Sequence, residues 1–226
     1  MTDQVQIAGV IDEAEANMLV AEGVNFLGFP LRLPDGREDL SEPAANSIIQ
    51  KLPAYSTGVL ITYLHNPDEV VALCDKLGVN WVQLHGPVSL QSLSQIRNLR
   101  QSIRIIKSLI VRQHNLQTLE QEIDHYSPLV SAFITDTHDP VTDRTGATGK
   151  THDWAVSKRL VQHSIRPVIL AGGLNQYNVE EAISFVKPAA VDAHTGLENP
   201  DGRKDRDKVR KFVHRASAAF QQCRES

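Results

Sequence analysis

Pro167-Val-Ile-Leu-Ala-Gly172-Gly173-Leu, followed by Ala190-Val-Asp192-Ala-His194-Thr195-Gly196-Leu-Glu198, decides the reading of this chain. Each stretch is a short buried-strand run that ends in glycine and opens onto a helical segment. Consecutive β/α units of this kind build a phosphate cradle. Glycine lets the backbone approach an anion closely, and the N–H groups of the following helix terminus point at it with the positive end of the dipole. Function is therefore expected at the C-terminal rim of a β/α sheet or barrel.

Working outward, β-branched apolar runs alternate with longer helical patterns, giving strand candidates at residues 5–9, 26–29, 58–63, 81–85, 103–111, 129–136, 167–171 and 190–194. The runs are continuous rather than alternating, which means strands covered on both faces, as in a parallel sheet. Asp12-x-x-Glu15, Asn66-Pro67-Asp68-Glu69 and Asn178-x-x-Glu181 read as capping boxes at helix starts. These units predict an α/β fold, a parallel eight-stranded (β/α)8 TIM barrel, as a single domain over residues 1–226. No Pro/Gly/Ser-rich linker divides the chain, and 41% hydrophobic residues suffice for a sizeable core. A doubly wound open sheet is the alternative, and it lacks its usual G-x-G-x-x-G in the first turn. Gly146-Ala-Thr-Gly149-Lys150-Thr151 ends like a nucleotide P-loop, but the first glycine would fall on Arg144. The segment reads instead as a glycine loop before a helix starting near Thr151.

The formal charge is −4, and the basic tail Arg203-Lys204-Asp-Arg206-Asp-Lys208-Val-Arg210 is interrupted by acids. It reads as a solvated helix face rather than a nucleic-acid patch. Cys74 and Cys223 have no metal-like spacing and read as free thiols of a cytoplasmic protein. No run reaches the length of a membrane span and no export signal opens the chain, so neither a membrane nor a nucleic acid is expected as partner.

Val82-Gln83-Leu84-His85-Gly86, Asp136-Thr137, Gly146-x-x-Gly149-Lys150-Thr151-x-Asp153-Trp154, Leu170-Ala-Gly172-Gly173-Leu-Asn175, Asn178-Val179, Asp192 through Glu198 and Gly202-x-Lys204-Asp205 carry a resemblance over nearly the whole chain. In order and spacing they resemble the phosphoribosylanthranilate isomerase family. The resemblance implies a TIM barrel of tryptophan biosynthesis that catalyses an Amadori rearrangement without metal or organic cofactor. The ribose ring of N-(5′-phosphoribosyl)anthranilate opens to an enol-amine, which tautomerises to the 1-deoxyribulose product. It implies that Gly172, Gly173, Thr195 and Gly196 hold the 5′-phosphate, with Thr195 where the family usually has Ser. It makes Asp136 the general acid at the ring oxygen and Arg37 the match for the anthranilate-carboxylate arginine. Arg32 and Lys150 are further substrate-binding candidates on the altered second-strand loop and the glycine loop.

One departure bears on the chemistry. The family's first strand reads Lys-Ile-Cys-Gly, with the cysteine as general base at the sugar C2 proton, whereas this chain reads Gln6-Ile7-Ala8-Gly9. Alanine accepts no proton, and a positioned acid or base contributes about 10²–10⁴-fold. A relocated base is expected at His194 or His85. Strand alternation places Asp136 with His138, and Asp192 with His194, on common sides at the barrel mouth. Asp192 is read as functional or as a buried carboxylate bonded to backbone donors, and His85 as functional or as a loop anchor. Tyr63, His65 and His152 lie near strand ends or early in helices, and for His65, His138 and His152 the plain reading is solvent-facing or backbone-bonded. Lys107 reads as a functional group or as a surface cation in a salt bridge. Three functions stay open: the isomerase, a metal-assisted enzyme on another phosphorylated substrate using the two Asp-x-His pairs, and a non-catalytic phosphosugar-binding barrel. The expected ligand in each is a small phosphorylated sugar-like molecule, and the protein is expected to be a monomer or homodimer.

Overall fold

A computed structural model describes residues 3–34, 36, 39–112, 114–139, 144–145 and 151–225 of the chain. Eight parallel strands form the barrel wall: β1 (Gln4–Ala8), β2 (Phe26–Pro30), β3 (Thr57–Thr62), β4 (Trp81–Leu84), β5 (Arg104–Val111), β6 (Ala132–Asp139), β8 (Val168–Leu170) and β9 (Ala190–Ala193). The strand order is β5-β4-β3-β2-β1-β9-β8-β6, and the additional pairing of β5 with β6 closes the cylinder. The remaining strand, β7 (Arg144–Thr145), pairs antiparallel with the tip of β6. The parallel barrel read from the sequence is thus present, and the open sheet is not.

Helices α1 (Glu13–Ala21), α2 (Glu42–Ile49), α3 (Pro67–Leu77), α4 (Leu90–Leu99), α5 (Leu116–Tyr126), α6 (Trp154–His163), α7 (Val179–Val186) and α8 (Arg206–Glu225) alternate with the barrel strands. Asp12 caps α1 by accepting from the Glu15 N–H, and Asn66 caps α3 by accepting from the Asp68 and Glu69 N–H groups. Helix α6 starts at Trp154 rather than near Thr151, because Asp153 supplies the cap by accepting from the Ala155 N–H. Among the described residues no helix is long and apolar enough to cross a membrane. Cys74 and Cys223 are both free thiols, and Cys74 is buried in α3.

The strands are apolar on both faces because each face meets a separate core. Their outward residues, among them Leu27, Leu60, Val82, Phe133 and Val191, pack under the helices. Their inward residues, among them Phe26, Val59, Ile61, Ile106, Ile134 and Ile169, fill the barrel's interior. Lys107 corrects an expectation: it lies mid-strand in β5 and is 6% exposed, not a surface cation. Its Nζ donates to the Ser108 carbonyl at 2.7 Å and lies 5.8 Å from the Tyr126 ring centroid, and burial lowers its pKa. A long apolar stem makes that placement tolerable.

Candidate active site

Toward the C-terminal ends of the strands the interior turns polar. His85, just past β4, and Asp136, on β6, meet over the end of β5 with Nε2 and Oδ2 2.7 Å apart. Ser108 of the intervening β5 holds the other side of the imidazole, Nδ1 to Oγ at 2.7 Å, and Tyr63 packs edge-on against the ring. The second carboxylate oxygen of Asp136 accepts from the Thr137 N–H at 2.7 Å. A ring nitrogen and a carboxylate oxygen at that separation need a proton between them. The pair is therefore a fixed place from which a proton can be delivered, and the His85 ring is held by Asp136, Ser108 and Tyr63.

Deeper in the barrel, Gln6 Nε2 of β1 donates to Gln83 Oε1 of β4 at 2.9 Å, and Gln6 also bonds the Asp192 carboxyl on β9. Asp192 is 9% exposed, and its Oδ1 is buried without a partner. Burial above all, reinforced by the nearby Asp136 charge, pushes its pKa up to about 8, against the opposing Gln6 bond. Its partner is thus a side-chain amide rather than backbone donors. The two glutamines were not singled out in the sequence, although a polar residue inside an otherwise apolar strand was the available signal.

The glycine loops follow β8 and β9 and lock together. Gly172 and Gly173 have φ of +99° and +63°. A Cβ at Gly172 would sit 2.2 Å from Thr137 Oγ1, so this loop lies against the residue next to Asp136. A Cβ at Gly196 would sit 2.1 Å from the Leu174 carbonyl, so the short 3-10 turn Thr195–Leu197 is pressed on the same loop. The first N–H groups of such a turn have no partner within it. Asn178 corrects the capping-box reading. It makes no side-chain cap bond to α7; its Oδ1 accepts from the Asn175 N–H at 2.8 Å and its Nδ2 donates to the Gly173 carbonyl at 3.1 Å. The side chain holds the glycine loop instead of the helix.

His194 leaves the strand pattern. Strand β9 ends at Ala193, and His194 has φ −134° and ψ −95°, so i, i+2 alternation no longer places it beside Asp192. Its imidazole crosses to β1, where a Cβ on Gly9 would lie 2.2 Å from His194 Nε2. Glu198 Oε1 is 3.3 Å from the same nitrogen. Lys204 Nζ in turn holds Glu198 Oε1 at 2.9 Å and donates to the Gly9 carbonyl at 3.2 Å, while the Lys204 N–H donates to Glu15 at 2.7 Å. The Lys204 side chain is 0% exposed, which corrects the solvated reading of the basic tail at this position. Arg206 and Arg210 do lie at the surface, paired with Glu22. Burial first, and then the Lys204 ammonium, hold the His194 pKa down to about 4.

The other candidates fall elsewhere. Arg32 pairs with Glu42 of α2 at 2.8 Å. Arg37 and Lys150 lie outside the described residues, as does the His138 side chain. His65 is exposed. His152 is neither solvent-facing nor backbone-bonded: it joins Thr137 Oγ1 at 3.0 Å and Ser157 Oγ at 2.6 Å, and burial lowers its pKa to about 4. Among the described residues no group of three His, Cys, Asp or Glu side chains is placed to hold a metal ion. Ala8 is 6% exposed and belongs to the inner core.

Comparison with known proteins agrees with the motif reading. A family model described as N-(5'-phosphoribosyl)anthranilate (PRA) isomerase matches residues 5–215. The N-(5'-phosphoribosyl)anthranilate isomerase 2 of Methanosarcina mazei is 35% identical over 222 residues, which are 96% of this chain and 95% of that one. The crystal structure of phosphoribosyl anthranilate isomerase from Thermotoga maritima matches with a TM-score of 0.82 at 29% identity, covering 96% of this chain and 100% of that chain. A phosphoribosyl anthranilate isomerase in complex with reduced 1-(o-carboxyphenylamino)-1-deoxyribulose 5-phosphate matches with a TM-score of 0.79 at 26% identity, over 96% of this chain and 100% of its own.

Proposed function

The chain belongs to the N-(5'-phosphoribosyl)anthranilate isomerase family, and we propose that it isomerises N-(5′-phosphoribosyl)anthranilate in tryptophan biosynthesis. The observation that carries this reading is the Asp136–His85 pair, 2.7 Å apart at the position the resemblance assigns to the acid and beside the Gly172 loop. In the reaction, the proton held between Asp136 and His85 passes to the ribose ring oxygen as the bond from that oxygen to C1 breaks. The anthranilate nitrogen lone pair then forms C1=N. A base removes the C2 proton, the C–H electrons form C1=C2, and the C1=N pair returns to nitrogen. The resulting enol-amine tautomerises to the ketone, the proton returning at C1. Gly172, Gly173, Thr195 and Gly196 would hold the 5′-phosphate on backbone N–H groups. The two positive-φ glycines and the absence of a Cβ at the loop contacts support that placement. We read residues 1–226 as one barrel domain, acting in the cytoplasm as a monomer or homodimer.

Loss of anthranilate-type fluorescence tests the proposal directly. The native chain should turn over the substrate. Asp136→Asn should lower kcat by about 10²–10⁴-fold while affinity for a phosphate-bearing product analogue persists. Equal activity in that variant would remove Asp136 from the role. Analogue binding with no turnover by the native chain would make this a binding barrel.

A further inference from the structure

We infer that His194 is the general base, taking the substrate C2 proton that no group at Ala8 can accept. The inference rests on the isomerase reading above and names the residue that completes it. Three features of the structure carry it. The imidazole is delivered to the end of β1, against Gly9, the residue after Ala8, and the contact is so close that only glycine fits there. The ring is held by a carboxylate, Glu198, which is itself fixed by a fully buried lysine. Glu198 takes Nε2, the nitrogen that faces Gly9, which leaves Nδ1 to carry the lone pair, and the carboxylate favours the imidazolium that forms. Finally, β8 alone separates β6 from β9, so Asp136 and His194 flank the glycine loop that would anchor the phosphate.

The resting protonation state leaves the ring open to a proton. Burial and the Lys204 ammonium outweigh Glu198, Asp39 and Asp136, all of which favour the charged form, so the imidazole is uncharged at neutral pH and free to accept a proton. The side chain is 27% exposed, which leaves it within reach from the rim. In the reaction the C2–H bond breaks, its electrons enter C1=C2, and the proton passes to the imidazole, to be returned at C1. Glu198 and Lys204 act as positioning residues. Gly9 supplies the space for the ring and a carbonyl that holds Lys204.

The test compares His194→Gln with the native enzyme by steady-state kinetics and by affinity for the reduced product analogue. The expected result is a kcat about 10²–10⁴-fold lower with KM and analogue affinity nearly unchanged. Adding Ala8→Cys to His194→Gln should recover part of the lost kcat, because a thiol at that position is the proton acceptor implied by the family resemblance. Glu198→Gln should lower kcat less and leave KM alone. His194→Asn serves if the glutamine variant fails to fold. Native-like kcat in either His194 variant overturns the inference, and so does a joint loss of turnover and analogue affinity, which would make the ring a wall of the pocket. A native enzyme without turnover would instead refute the isomerase reading itself, so the two failures are distinct.

Discussion

Two arcs of one barrel interior differ sharply. Strands β2 and β3 line it with Phe26, Gly28, Val59 and Ile61, while β1, β4, β6 and β9 line it with Gln6, Gln83, Asp136 and Asp192. The apolar arc is held by area and shape alone. The polar arc holds a buried carboxyl with an unpartnered oxygen and, at its mouth, an imidazole kept uncharged, arrangements that cost stability. The difference teaches that apolar packing and buried polar groups are kept to separate sectors of the same ring.

Substitutions can break or sharpen that division. The largest effect is expected at Phe26, which stacks edge-on with Trp81 at 5.5 Å near the start of its strand. Phe26→Ala should cost about 3–5 kcal/mol in chemical denaturation yet leave kcat intact below the melting temperature. A matching collapse of kcat would show the arcs to be coupled. Next comes Gly172→Val, where φ of +99° and the 2.2 Å approach to Thr137 Oγ1 forbid a side chain. Strain alone is worth about 1–3 kcal/mol, and calorimetry should record a Kd for the product analogue raised on the order of tenfold to a hundredfold.

Buried titrating groups give a subtler contrast, of opposite sign between about pH 4 and 6.5, where their windows overlap, with Asp192 acting alone from there up to about 8. Asp192 has its pKa raised from 3.8 to about 8, so between those values the folded state keeps a proton the unfolded state has lost, and stability falls as pH rises. His152 has its pKa lowered from 6.5 to about 4, so the unfolded state takes up a proton first and stability falls as pH drops through that window. Asp192→Asn should flatten the alkaline-going slope and His152→Gln the acid-going one, read from denaturation midpoints across pH. Unchanged slopes would mean that neither group is shielded from water. The smallest effect is expected at Arg32, 38% exposed in its pair with Glu42. Arg32→Ala should change stability by less than about 1 kcal/mol, and a tenfold rise in KM would move the guanidinium from the rim to the substrate.

Most of the barrel was legible in the sequence because strands covered on both faces must be continuously apolar, and Asp12 and Asn66 announce their helices by local bonds alone. Asn178 misled because its competing partners, Asn175 and the Gly173 carbonyl, belong to a loop whose shape depends on the rest of the rim. His194 was legible as a candidate but not in its place, since alternation stops where the strand does. Lys204 was hidden by its neighbours: it sits in a charged run whose other basic members at 206 and 210 face solvent, and only the meeting of chain ends buries it.

That meeting has a consequence for synthesis. Lys204 reaches back across the sequence to Gly9, Glu15 and Glu198. During translation the Asp136–His85 pair can form once the sixth barrel strand has emerged, whereas the His194–Gly9 contact waits for nearly the whole polypeptide. A nascent barrel therefore carries the one polar contact long before the other, and a chain stalled short of residue 204 would lack the clamp that joins its first and last units.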